Sequence, residues 1–274
     1  MQWRGLTQPG PRRHAAASTF SLSLFHFSDD MSVWGKILGG AAGFALGGPI
    51  GALIGALAGH AVDKMSVAAT GPDAPDATKQ IAFTIGVIVL GAKLAKADGK
   101  VTRDEVDAFK QVFHIPTDEM KNVGRVFDQA RKDARGFEPY AQQLARMFAD
   151  NPAVLEELLH GLFHIARADG KVSDEEVAYL EQLAGIFGFD AQAWDRIRAA
   201  NLAADKSDPF RILGVDRAAD DKEIRAAHRK LVVENHPDRL VAQGLPQEFV
   251  EIANQKLATI NAAYDEIKKL RGIR

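Results

Sequence analysis

The sequence predicts an all-α protein in three parts: a Gly-rich N-terminal transmembrane helix, a helical bundle and a C-terminal helical hairpin. Three observations carry this. Glycine recurs at every fourth position from Gly35 to Gly59, and residues 37–59 hold no charge. Residues 79–200 place apolar side chains at three- and four-residue spacings, broken only at Asp-Gly, Pro and Gly. Residues 210–274 keep the same period on both sides of a single break, at His236-Pro237-Asp238.

The 274 residues are enough for about two domains, each able to bury a core. A formal net charge of -2 argues against a protein built to grip nucleic acid. There is no cysteine, which excludes disulfide scaffolds, Cys-ligated zinc and thiol catalysis. Residues 1–30 are Arg- and Ser-rich with no acid before Asp29. Two readings fit them: a targeting segment, or a disordered extension upstream of a start at Met31. The second is favoured, because the patterned sequence begins cleanly at "MSVWGK".

Residues 31–65 read as the membrane anchor. Their uncharged run of 23 residues would span roughly 34 Å as a helix, just over the ~30 Å hydrocarbon core of a bilayer. Its eight Ile, Leu and Phe residues favour insertion by only about 4 kcal/mol, before Gly and Pro penalties. Seven glycines in register would be a poor choice for a lone helix, since each costs about 1 kcal/mol against Ala. They instead form a groove that winds round the helix and suits close packing against a second helix. Gly39, Gly43, Gly47, Gly51, Gly55 and Gly59 are therefore expected to pair two copies of the chain. Pro49 is expected to bend this helix near its middle. With Met31 as start, the N-side carries Lys36 alone and Lys64 begins the basic side, which predicts a single pass with the later domains in the cytoplasm; with residues 1–30 present, Arg4, Arg12 and Arg13 oppose that orientation.

Residues 66–78, punctuated by Pro, Gly and Asp, read as a linker. The apolar run 81–92 is too short to span a membrane and reads as a buried helix. Within residues 79–200 an echo appears: "LAKADGKVTRDEVDAF" and "IARADGKVSDEEVAYL" align with Asp98 on Asp169, 71 residues apart. Each copy closes a helix at Asp-Gly and opens another with a capping box, Thr102 with Glu105 or Ser173 with Glu176. The spacing matches the back half of an EF-hand loop, but Leu94, Lys96, Ile165 and Arg167 stand where its first oxygen ligands belong. Capping is the preferred role for these acids, and an open metal site of Asp98, Glu105, Asp169 and Glu176 is the alternative. This doubled element in a helical domain resembles the TerB-type domain of tellurite-resistance proteins, which implies a compact helical fold and possible metal association.

After a second linker, residues 201–209, come "DPFRILGV", "DKEIRAAHRKLVVENHPDRL" and "QKLATINAAYDEIKKL". In the middle segment Ile224, Ala227, Leu231 and either Val232 or Val233 form an apolar stripe, with Lys222, Arg225, Arg229 and Lys230 away from it. Pro237 disfavours helical geometry at His236, so the helix ends there and a turn presents Asp238 beside a cationic face. A third helix, with Leu257, Ile260, Ala263, Tyr264 and Ile267 on one face, follows. The whole resembles a J-domain, the DnaJ signature. That resemblance implies docking on a DnaK-type ATPase chaperone and stimulation of its ATP hydrolysis. It assigns His236, Pro237 and Asp238 to the stimulating loop, and Arg225, Arg229, Lys230 and Arg239 to the electrostatic face.

The order of parts, "WGKI" with a Gly-rich apolar run, a TerB-like middle and a terminal J-domain, resembles the DjlA family of bacterial membrane-anchored DnaJ-like co-chaperones. It implies a single inner-membrane anchor with the J-domain in the cytoplasm, recruitment of the chaperone to that membrane and self-association through the anchor; no cofactor is expected. A Cys-based zinc module is excluded by composition, which disfavours a general client-binding chaperone. The competing reading makes the TerB-like domain a metal or stress sensor with the J-domain as output. An enzyme built on His164, Asp169 or His228 lacks any accompanying nucleophile or phosphate loop.

Overall fold

The computed structural model describes residues 47–58, 74–97, 106–107, 109–110, 120–130, 136–168, 170–202 and 208–272. Every element among them is helical, and the chain is all-α. The apolar run that is too short for a membrane lies in α1, Ala74–Leu94, and every residue from 81 to 95 is buried. A helix that is apolar all round must be wrapped on every side. The wrapping comes from α2 (Met120–Ala130), α3 (Glu138–Met147), α4 (Pro152–Ala166) and α5 (Asp174–Ile186). Packing is close enough at Gly86 that an added Cβ would stand 2.5 Å from Leu144 Cδ1. Helix α1 starts at Ala74, inside the expected linker 66–78, because Pro75 falls in its first turn, where no amide hydrogen is needed.

A short helix precedes α1 in the chain, Gly48–Ala58, here termed the Gly-rich helix. Gly47 and Gly48 take φ of +56° and +59°, left-handed values open to glycine, and Pro49 lies in the first turn. The proline thus marks a helix start, which corrects the expectation of a bend inside a longer helix. Gln143 of α3 clasps this start: its Oε1 accepts from the Ile50 amide at 3.0 Å and its Nε2 donates to the Gly47 carbonyl at 3.0 Å. Ile50 and Gly51 are buried. Two positions expected in a groove between copies therefore meet the chain's own bundle, Gly47 by hydrogen bond and Gly51 by burial. Gly55 lies within the same helix, and Gly39, Gly43 and Gly59 fall outside the described residues. Among the described residues no helix is long and apolar enough to cross a membrane.

The second copy of the echo forms as the residues dictate. Gly170 takes φ +99° after α4, and Ser173 caps α5 in a reciprocal capping box with Glu176. The first copy, from Asp98 to Glu105, lies outside the described residues. Helix α6 (Ala191–Leu202) completes the bundle and runs two residues into the expected linker 201–209, held there by the buried Asn201.

The C-terminal part comprises α7 (Pro209–Leu213), α8 (Asp221–Glu234), α9 (Pro237–Ala242), a single 3-10 turn (Gln247–Phe249) and α10 (Val250–Arg271). Asp208 caps α7, accepting from the Phe210 amide at 3.1 Å, and Gly214 ends it at φ +67°. Asp220 and Glu223 form a capping box at the head of α8. Phe210, Leu213, Ile224, Leu231, Ile260, Ala263 and Ile267 make a core of their own. Val232 packs against it, whereas Val233 is 57% exposed, which resolves the open choice for the stripe. The other end of the hairpin belongs to the bundle. Leu240, Leu245, Phe249, Ile252 and Ala253 share the core of α1 and α4. The Phe249 ring meets Phe83 edge-on at 4.7 Å, and Gly244, at φ +104°, passes so near Lys79 that a Cβ would lie 2.9 Å from that side chain.

Candidate partner-docking site

Helix α8 separates its faces as its pattern requires. Ile224 and Leu231 are buried, and Lys222, Arg225, Arg229 and Lys230 are all exposed. The helix stops at Asn235, whose backbone amide and Nδ2 both donate to the Leu231 carbonyl, at 3.0 and 2.7 Å. A proline ring crowds the residue before it out of helical geometry, and ahead of Pro237 His236 is extended, at φ -68° and ψ 127°. The chain then re-enters a helix at once. His236 is the N-cap of α9, its Nδ1 accepting from the Asp238 amide at 3.3 Å. The break is therefore also a helix start, which holds the turn in one shape. Pro237 is buried, while His236, Asp238 and Arg239 face solvent, the Asp238 side chain 95% exposed. All seven residues assigned by resemblance to docking are placed at this turn or on α8, and six of them are exposed.

Of the other candidates for metal binding or catalysis, only Glu176, His164 and His228 lie among the described residues. Asp98, Glu105 and Asp169 lie outside the described residues. Glu176 is buried, and one oxygen of its carboxylate accepts from the Ser173 amide at 2.8 Å and from Ser173 Oγ at 3.0 Å. Among the described residues no group of His, Asp or Glu is placed to hold a metal ion. His228 is hydrogen-bonded to Asn261 at 2.9 Å and stacked on Tyr264, and His164 is lowered in pKa by burial and by Arg167.

Sequence reasoning missed what lies directly beneath the turn. Glu156 and Glu157 of α4 are buried, as is Lys256 of α10. The Lys256 ammonium donates to Glu157 Oε1 at 2.7 Å and to Asn235 Oδ1 at 2.6 Å, and lies 2.8 Å from Glu156 Oε1. Arg196 of α6 grips Glu156 with both terminal nitrogens, at 2.7 and 2.6 Å. Burial alone would raise the Glu156 pKa, but Lys256 and Arg196 together outweigh it and hold the carboxyl well below its ordinary value. His160 completes the group, its Nδ1 3.0 Å from Asn201 Oδ1, and burial followed by the Lys256 charge lowers its pKa. A cleft of about 340 Å³ opens alongside, between His164, Arg167, Thr259 and Glu266. The signal available in the sequence was the acidic pair in "PAVLEELLHGLFHIA", two carboxylates in a helix otherwise apolar on nearly every side.

Three family models match the chain. The family model described as tellurite resistance protein TerB matches residues 84–199, and the DnaJ domain matches residues 208–269. The model of the co-chaperone DjlA transmembrane domain matches residues 31–89. No solved structure matches the chain. The co-chaperone protein DjlA of Coxiella burnetii is 30% identical over 266 residues, covering 87% of this chain and 98% of that protein. The DjlA proteins of Aliivibrio fischeri and Shewanella oneidensis are 32% and 34% identical, each covering 89% of this chain and 100% of their own length. With its three parts in that order and such identity along most of its length, the chain belongs to the DjlA family of co-chaperone proteins.

Proposed function

We propose that the chain acts as a co-chaperone whose J-domain binds a DnaK-type chaperone, stimulates its ATP hydrolysis and recruits it to the bacterial inner membrane. The observation that carries this is the exposed turn at 236–238, rigidly started on His236 and set at the end of a cationic helix face. Arg225, Arg229, Lys230 and Arg239 steer an acidic surface of the partner onto α8, since exposed charge mainly speeds and orients docking. Asp238 then acts on the partner, and the chain catalyses nothing itself. Replacing Asp238→Asn keeps the side-chain size and the turn while removing the charge. Stimulation of the partner's ATPase is expected to vanish while the helical circular dichroism stays unchanged; normal stimulation would sink the assignment.

The membrane part rests on the match of residues 31–89 to a transmembrane family model and on the uncharged run of residues 37–59. We place a single-pass anchor in residues 31–65, the TerB-like domain in 79–200 and the J-domain in 210–274, both domains cytoplasmic. The glycine register would pair two anchors. Insertion of residues 47–58 in a bilayer, and any pairing through Gly47 and Gly51, has to release the clasp of Gln143 first. Carbonate extraction with protease accessibility settles insertion and sidedness together; release of the chain by carbonate would remove the anchor from this reading.

A further inference from the structure

The turn at 236–238 is carried by the helical bundle as much as by its own hairpin. On its N-terminal side stands Asn235, 1% exposed, covalently next to His236. The Asn235 side chain has two roles: Nδ2 donates to the last turn of α8, and Oδ1 accepts from Lys256. An ammonium has three protons, and Lys256 has three acceptors within reach: Asn235 Oδ1, Glu156 Oε1 and Glu157 Oε1. Two of the three are carboxylates of α4. Arg196 of α6 holds Glu156 in turn, so the acceptor nearest the turn is tied through Lys256 to two helices of the bundle. On the C-terminal side Leu240 is wholly buried in the bundle core beside Leu245 and Phe249. Between these two fixings lie Pro237, also buried, and the solvent-facing His236, Asp238 and Arg239.

We infer that Lys256, Glu156 and Glu157 are positioning residues, through which the TerB-like bundle sets the orientation in which Asp238 meets the partner ATPase. This deepens the proposed function and rests on it. None of the three is exposed to a docking partner, so they act only through Asn235 and the turn.

The test titrates the full-length chain, in detergent micelles, against the ATPase of a DnaK-type chaperone. For Lys256→Met the plateau of stimulation is expected to fall about tenfold, with the half-saturating concentration within about threefold of the parent. Destabilisation alone gives the opposite split. A smaller folded fraction raises the half-saturating concentration and leaves the plateau intact, and that result would overturn the inference. Amide hydrogen exchange supplies a readout independent of activity: residues 235–240 should exchange on the order of tenfold faster, with the first turns of α8 unchanged. Unchanged exchange across 235–240 would likewise overturn it. If Lys256→Met loses its cooperative unfolding, Glu157→Gln, which keeps the side-chain shape and one acceptor oxygen, carries both measurements. Absence of stimulation by the parent chain would strike the proposed function instead, and the exchange data would still decide the positioning.

Discussion

Two groups of charged side chains flank the same turn and live under opposite physics. On α8, Lys222, Arg225, Arg229 and Lys230 stand in water, where their charges cost almost nothing and add little to stability. Beneath the turn, Glu156, Glu157 and Lys256 have left water, at an effective penalty of several kcal/mol per ion, and Arg196 keeps only 13% of its side chain exposed. Only close mutual geometry recovers that penalty: the formal charges balance, two negative and two positive, and the contacts run from 2.6 to 2.8 Å. Glu157 Oε2 still finds no hydrogen-bond partner among the described residues. The lesson is a division of labour. On the proposed function, exposed charge addresses a partner outside the molecule, and buried charge fixes where parts of the molecule stand.

The largest effect that could break this comparison is on stability. Arg196→Met leaves Glu156 buried with Lys256 shared between two carboxylates, and should destabilise the chain by about 3–5 kcal/mol in denaturant unfolding. Replacing the whole set by apolar side chains, Glu156→Leu, Glu157→Leu, Arg196→Met and Lys256→Met, should restore stability to within about 1 kcal/mol of the parent or exceed it. A fourfold variant as weak as the single one would mean that the cluster is net stabilising, and the division of labour would fail.

How much of this was legible follows from how far each feature reaches along the chain. The helix stop at His236, the capping box of Ser173 and Glu176 and the burial of the run 81–92 are settled within one or two turns, and the residue types disclose them. The faces of α8 also follow from period alone. The ion cluster does not, because its members come from three helices and Lys256 lies 99 residues from Glu157. Nor does an apolar residue name its neighbours. Phe249 reads as core from its type, but that its core is shared with Phe83 of α1 is a tertiary fact. The glycine run shows the same limit. Its four-residue register suggests a groove for another helix, and a glutamine 93 residues beyond Ile50 claims its middle.

A middle-sized effect sharpens the comparison through pH. The His160 pKa is lowered from 6.5 inside the cluster, where it faces Glu156, Glu157, Lys256 and Asn201. A histidine depressed on folding contributes stability that is present above its unfolded value and is lost as pH falls toward its folded value. The Glu156 carboxyl, also depressed, adds a second loss beginning below 4.5. Unfolding free energy should therefore decline from about pH 6.5 downward and decline further below about pH 4.5. His160→Gln should flatten the first part of that decline and leave the second. His164, depressed in the same direction, sets the residual slope. An unaltered pH profile in the variant would remove His160 from the working cluster.

The smallest effect lies on the exposed side and is a matter of rate. Arg229→Ala removes one solvated cation from α8 and should leave the unfolding midpoint within measurement error. At low ionic strength the half-saturating concentration for ATPase stimulation should rise about threefold, because steering by rim charge acts on encounter. The difference should close as salt shortens the screening length, which is about 10 Å at 0.1 M. The plateau should not move. Lys256→Met, shielded from salt by burial, should lower the plateau at every ionic strength. A salt-dependent plateau for Lys256→Met, or a lowered plateau for Arg229→Ala, would show that the two groups share one task. Opposite behaviour in the same titration separates docking from presentation, and places each on its own side of the turn.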